Sequence, residues 1–137
     1  MSARILVVDD DACIRDLVRL HLQNAGYEVR TAEDALVAGR MLLQSPPDLL
    51  IVDVEMPYMS GIDFVATLLA DQTVPAIPVI FLTARPDLAD RAEALGAMYI
   101  TKPVIADALV YSVERQLLRR ASAEAGLRDP AVAVKAA

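Results

Sequence analysis

Asp9 and Asp10, Asp53, Thr83 and Lys102 each stand directly behind a short apolar run: RILVV, LLIV, PVIFL and MYIT respectively. Helix capping accounts for one such residue, because Asp and Thr commonly cap helices. It does not account for the lysine or for the acid cluster. Three carboxylates brought to one crevice repel and raise one another's pKa unless a cation lies between them. Such a hard, all-oxygen site suits Mg²⁺, which keeps several waters and takes one or two carboxylates together with a phosphate oxygen. The chemistry these residue types permit is therefore the handling of a phosphoryl group. Asp11, third in the acidic triplet, is set apart as the N-cap of the helix that follows, where an acid complements the helix dipole.

The elements that would bring these groups together are legible from periodicity. The four apolar runs, and a more polar fifth at YEVRT, alternate with stretches of helical spacing such as Ile14, Leu17, Val18, Leu22 and Ala25, or Leu109, Val110, Val113, Leu117 and Leu118. Near-continuous apolar strands alternating with helices predict a doubly wound α/β fold, a parallel sheet covered on both faces. The polar strand near Glu28 to Ala32 is expected at an edge. Gly26 and Gly96 follow helix ends, Pro46-Pro47 separates a helix from a strand, and Pro75 and Pro78 bracket a loop. In such sheets ligands bind outside the carboxyl ends of the strands, where the five polar residues collect.

Composition narrows the class. A chain of 137 residues with 55% hydrophobic content suits one globular domain. A net charge of −6 argues against direct contact with nucleic acid, which needs a basic surface. Cys13 is the one cysteine, so no intramolecular disulfide forms, and the start lacks the pattern of a secretory signal. No run reaches the roughly 18 to 20 apolar residues of a membrane helix. The expected location is the cytoplasm, with no membrane contact.

Taken together, the ordered motifs DDD, DVEMPYMSG, FLTA and TKP over about residues 3 to 120 resemble those of a response-regulator receiver domain of bacterial two-component signalling. That resemblance implies a flavodoxin-like, five-stranded sheet of order 2-1-3-4-5. It makes Asp53 the phosphoacceptor and assigns Mg²⁺ to Asp9, Asp10, Asp53 and the backbone carbonyl of Glu55. Thr83 and Ala84 become the pair that meets the phosphoryl oxygens, Lys102 the lysine that neutralises them, and Tyr99 the aromatic switch residue. The Lys102–Pro103 peptide is expected to be cis. Pro57 would shape the turn after the acceptor, and Gly61 would admit backbone angles that a Cβ opposes. The implied partners are a sensor histidine kinase or histidine phosphotransfer protein and, downstream, a docked protein or an output domain. A homodimer through the fourth helix, fifth strand and fifth helix is a further possibility. The domain is not an enzyme in the ordinary sense, assisting only its own phosphorylation and slow dephosphorylation.

Glu55 and Arg85, two residues beyond Asp53 and Thr83, carry opposite charges and are expected to tune the aspartyl-phosphate lifetime by pairing across the mouth once phosphorylation draws the loops together. His21, beside an apolar stripe and without a second ligand, reads as structural, and Cys13 near the acids is poorly placed for redox work. Val104 after Pro103 and Ser60 before Gly61 depart from the common pattern. Residues 121–137, alanine-rich, read as a tail or linker that extends the last helix as far as Ala125. Two other classes compete: a Mg²⁺-dependent phosphatase with an aspartyl-phosphate intermediate, and an interaction module without phosphorylation. The phosphatase pattern places its nucleophile after the first strand, and the full set of polar residues speaks against the second.

Overall fold

The computed structural model describes residues 2–124. Five parallel strands, β1 (Arg4–Val8), β2 (Glu28–Ala32), β3 (Leu49–Asp53), β4 (Val79–Thr83) and β5 (Met98–Thr101), form one sheet in the order β2-β1-β3-β4-β5. Helices α1 (Ala12–Asn24), α2 (Ala35–Gln44), α3 (Gly61–Ala70), α4 (Ala89–Ala94) and α5 (Ala106–Glu124) alternate with the strands. A short 3-10 turn, Pro86–Leu88, leads into α4. The expected doubly wound fold and strand order are what the chain adopts. The chain leaves β1 outward to β2 and returns across to β3, so the switch of direction lies between β1 and β3.

The central strands β1, β3 and β4 bury side chains on both faces, and residues two apart share a face. On one side Ile5, Val7, Leu49, Ile51, Ile80 and Leu82 pack against Val18 and Leu22 of α1 and Leu109 and Val113 of α5. On the other, Leu6, Val8, Leu50, Val52 and Phe81 pack against Ala38 and Leu42 of α2, Ile62, Phe64 and Val65 of α3 and Ala92 of α4. β3 and β4 are buried throughout, which explains their unbroken apolar sequence. β2 is the polar edge strand, and only Ala32 of it is fully buried.

Helix ends follow local chemistry. The Asp11 side chain accepts from the Cys13 and Ile14 amides, Asp34 from Val37 and Ser60 from Asp63. Gly26 and Gly96 hold φ of +97° and +73° just past α1 and α4. Two helical stripes are narrower than their spacing suggests: Leu17 and Leu118 are exposed, while Val18, Leu22, Leu109 and Val113 carry the burial. α5 runs unbroken through Glu124, into the alanine-rich stretch expected to extend it. The expected stop after Ala125, and the rest of the tail, lie outside the described residues.

Gly61 has a different reason from the expected one. Its backbone angles are ordinary, but a Cβ there would land on the carbonyl oxygen of Asp53 and 2.9 Å from Val52 Cγ1. The glycine allows α3 to start hard against the end of β3. The unusual angle in this loop belongs to Tyr58, at φ +71° and 97% exposed.

Candidate functional site

Sheet register brings the polar residues to one level. Val8 pairs with Val52, Asp53 with Leu82, and Thr83 with Thr101, so Asp9, Asp53, Thr83 and Lys102 fall at successive strand ends across β1, β3, β4 and β5. Alternation then sorts them by face. Asp9 and Asp53 share the parity of Val7 and Ile51, and Lys102 that of Ile100, toward α1 and α5. Thr83 and Tyr99 share the opposite parity, that of Phe81, toward α3 and α4.

On the first face the carboxylate oxygens of Asp9, Asp10 and Asp53 lie within 4.8 Å of one another. Asp9 is fully buried and Asp53 is 2% exposed, whereas Asp10 is exposed. Lys102 Nζ donates to Asp53 Oδ1 at 3.1 Å and stands 3.7 Å from Asp9 Oδ2. Asp53 Oδ1 also accepts from the Glu55 amide at 3.3 Å, and Asp9 Oδ1 from the Asp11 amide at 2.9 Å. Arg15 donates to the Asp9 carbonyl at 2.7 Å, tying the loop to α1. The Lys102–Pro103 peptide is cis.

The site carries more buried negative charge than its lysine balances. Burial first, and the Asp9 charge second, push the Asp53 carboxyl up to about 7 despite the hydrogen bond from Lys102. Asp9 is likewise raised, chiefly by burial, against the lowering effect of the Asp11 amide and Lys102. Burial alone would lower the Lys102 ammonium, but its hydrogen bond to Asp53 and the surrounding carboxylates outweigh that and raise it. Among the described residues, the buried Asp9 Oδ2 has no hydrogen-bond partner. A buried acceptor normally finds a donor. An orphaned carboxylate oxygen beside two further carboxylates fits a small divalent cation, and this donor set matches the oxygen preference of Mg²⁺.

Thr83, 1% exposed, lies at the buried end of β4. Its hydroxyl accepts from the Arg85 amide at 2.9 Å and donates to Glu55 Oε1 at 3.0 Å. Glu55 and Arg85, expected to meet only after phosphorylation, have other partners in this state. Arg85 pairs with Asp87 at 2.7 Å, and Glu55 accepts the hydrogen bond of the Thr83 hydroxyl. The Thr83–Glu55 contact escaped the sequence reading. Nothing along the chain signals it, because the contact depends on how the β3 and β4 loops meet in space. Ala84 is exposed beside Thr83, and Tyr99 is half-buried against the core on the α3/α4 side. The two departures from the common pattern have local roles: Ser60 caps α3, and Val104 packs partly against the core under α1 and α5. His21 is half-buried on α1 and Cys13 is exposed.

The family model of the response regulator receiver domain matches residues 5–114. The DNA-binding dual master transcriptional regulator RpaA of Synechocystis is 36% identical over 120 residues, which span 85% of this chain and 49% of that protein. The response regulator MprA of Mycobacterium bovis is 38% identical over 127 residues, 90% of this chain and 54% of that protein. The chain thus spans about half the length of these curated relatives. Among solved structures, the chemotaxis response regulator CheY4 of Vibrio cholerae superposes with a TM-score of 0.77 at 34% identity, covering 84% of this chain and 98% of that one.

Proposed function

Because the chain belongs to the response regulator receiver domains, phosphorylation-dependent signalling switches, we propose that Asp53 is its phosphoacceptor and that the switch depends on Mg²⁺. The observation that carries this reading is the buried Asp53 carboxylate, held at the strand end between Lys102 and two further acids. Asp9, Asp10, Asp53 and the Glu55 carbonyl would hold the ion. When bound, Mg²⁺ supplies positive charge against the phosphoryl oxygens as they transfer.

The protein's own groups do the rest. Asp53 presents one carboxylate oxygen to the phosphorus of a phosphohistidine, in line with the P–N bond. As the O–P bond forms, the P–N bond breaks and its electron pair stays on the departing imidazole. Lys102 Nζ, already on Asp53 Oδ1, holds the carboxylate in place and balances the charge that accumulates on the phosphoryl oxygens. The product bears about −1.5 to −2 of added charge and three acceptor oxygens. Thr83 then turns its hydroxyl toward them, beside Ala84, whose small side chain leaves room for the phosphoryl group. Space opens on the α3/α4 side for the Tyr99 ring, and the surface of α4, β5 and α5 changes shape.

The donor in this reading is a sensor histidine kinase or a histidine phosphotransfer protein. Downstream, the altered face binds a separate protein, a second copy of this chain, or an output domain in a longer regulator. RpaA, named as DNA-binding and about twice the matched length, makes a DNA-reading output the leading form of the last.

Mass spectrometry after incubation with acetyl phosphate tests the core of this. One phosphoryl group is expected with Mg²⁺, none with EDTA, and none on Asp53→Asn. A phosphoryl group that persists on Asp53→Asn removes Asp53 from the role.

A further inference from the structure

We propose that the Glu55 carboxylate is a resting-state latch for the switch: it holds the Thr83 hydroxyl as an internal stand-in for the phosphoryl oxygen that later replaces it. This rests on the reading of Asp53 as phosphoacceptor. A threonine hydroxyl has one proton to donate. In the resting protein that proton goes to Glu55 Oε1 at 3.0 Å, while the hydroxyl oxygen accepts from the Arg85 amide at 2.9 Å. The other acceptor in reach, the Arg85 carbonyl, is at 3.4 Å and is the weaker choice.

Geometry makes the contact a latch rather than a surface hydrogen bond. Thr83 is fixed at the buried end of β4, on the strand face opposite to Asp53, Asp9 and Lys102. Glu55 reaches it from the exposed loop that follows Asp53, and so bridges the β3 and β4 loops across 28 residues of chain. A hydrogen bond to a carboxylate is stronger than one between neutral groups. To serve a phosphoryl group on Asp53, Thr83 must first give up this acceptor. The phosphoryl group has to outcompete a charge already in place, and it does so with more charge and more acceptor oxygens. Glu55 thereby lowers the resting population of the switched form and sets the contrast between the two states.

Glu55 is therefore a positioning residue, and its test reads conformation without a phosphodonor. In two-dimensional amide NMR the Arg85 N–H, which sits on the Thr83 hydroxyl, reports where that hydroxyl is; acetyl phosphate with Mg²⁺ defines its switched position in the parent. Glu55→Ala is expected to move the resting Arg85 signal along the line toward that position, for about a tenfold rise in switched population. Glu55→Gln, which keeps an acceptor without the charge, is expected to move it less. In a Thr83→Ala background, adding Glu55→Ala should move the signal no further. Resting spectra of both Glu55 variants that match the parent, while the parent still takes a phosphoryl group, overturn the latch and leave Asp53 as acceptor. An equal shift in the Thr83→Ala background also overturns it, because Glu55 then acts without Thr83. A parent that takes no phosphoryl group at all overturns both readings.

Discussion

At the scale of single residues, the resting partners of Glu55 and Arg85 change how a lifetime gate would assemble. Arg85 is paired with Asp87, both well exposed, and a surface pair of this kind is weak and screened by solvent and salt. It is readily exchanged. Glu55 would be released once Thr83 turns to the phosphoryl group, and Arg85, whose guanidinium is raised chiefly by its hydrogen bond to Asp87, also feels the Glu55 charge. A Glu55–Arg85 pair would then cover the volume through which water attacks in line. Removing either charge is expected to shorten the aspartyl-phosphate half-life by roughly tenfold, about 1.4 kcal/mol in the barrier. The double substitution should cost little more than one. Dephosphorylation half-lives of Glu55→Ala, Arg85→Ala and the double variant check this, and additive effects count against the pair. Asp9, Asp10, Asp53, Thr83 and Lys102 were legible because each ends an apolar run, a contrast visible along one dimension. The Thr83–Glu55 contact was not, since it depends on which face each strand end presents across a sheet interface.

Among the elements, α3 shows how position in the sheet and site geometry are joined. It begins at Gly61, whose amide donates to the Val54 carbonyl at 2.9 Å, and where any Cβ would strike the Asp53 carbonyl oxygen. Gly61→Ala forces the helix start away from β3 or displaces Asp53, in a core too closely packed to absorb the change. Destabilisation of about 1–3 kcal/mol is expected in urea unfolding. Weaker Mg²⁺ binding should accompany it, because the displaced strand end carries a proposed ligand. A variant with parental stability and Mg²⁺ affinity would mean that the helix start yields freely. The sequence exposed the existence of this glycine but attached the wrong cause, since close approach and positive φ leave the same residue behind. Strand identity, by contrast, was readable because β3 and β4 are buried on both faces and tolerate no polar residue before their ends. Helical spacing predicts wider apolar stripes than the helices bury: period alone marks the middle of an apolar face but not its margins, where Leu17 and Leu118 meet solvent.

For the molecule as a whole, the site is a source of instability that its ligand should relieve. Asp53 folds with its carboxyl raised from 3.8 to about 7, and Asp9 is raised with it, so the native state holds more protons than the unfolded chain between these values. Stability therefore falls as pH rises, with this contribution complete below about pH 4 and lost through about pH 7. Asp71 and Asp87, lowered chiefly by side-chain hydrogen bonds to Thr73 and Arg85, act in the opposite direction, but their contribution is lost only below about pH 4. Lys102, raised above its ordinary 10.5, favours the folded state throughout the same range and does not alter the slope. The metal-free protein is thus expected to melt several degrees lower at pH 8 than at pH 5. Mg²⁺ at a hundredfold its Kd should restore about 2.7 kcal/mol at pH 8, and far less at pH 5, where protons occupy the same carboxylates. Asp53→Asn removes one buried charge, so it should be more stable than the parent at pH 8 without metal, flatten the slope and respond less to Mg²⁺. Thermal unfolding of both proteins across pH 5–8, with EDTA and with Mg²⁺, makes the comparison. A parental melting temperature that rises toward pH 8 in EDTA would mean that the buried acids are already balanced without a cation.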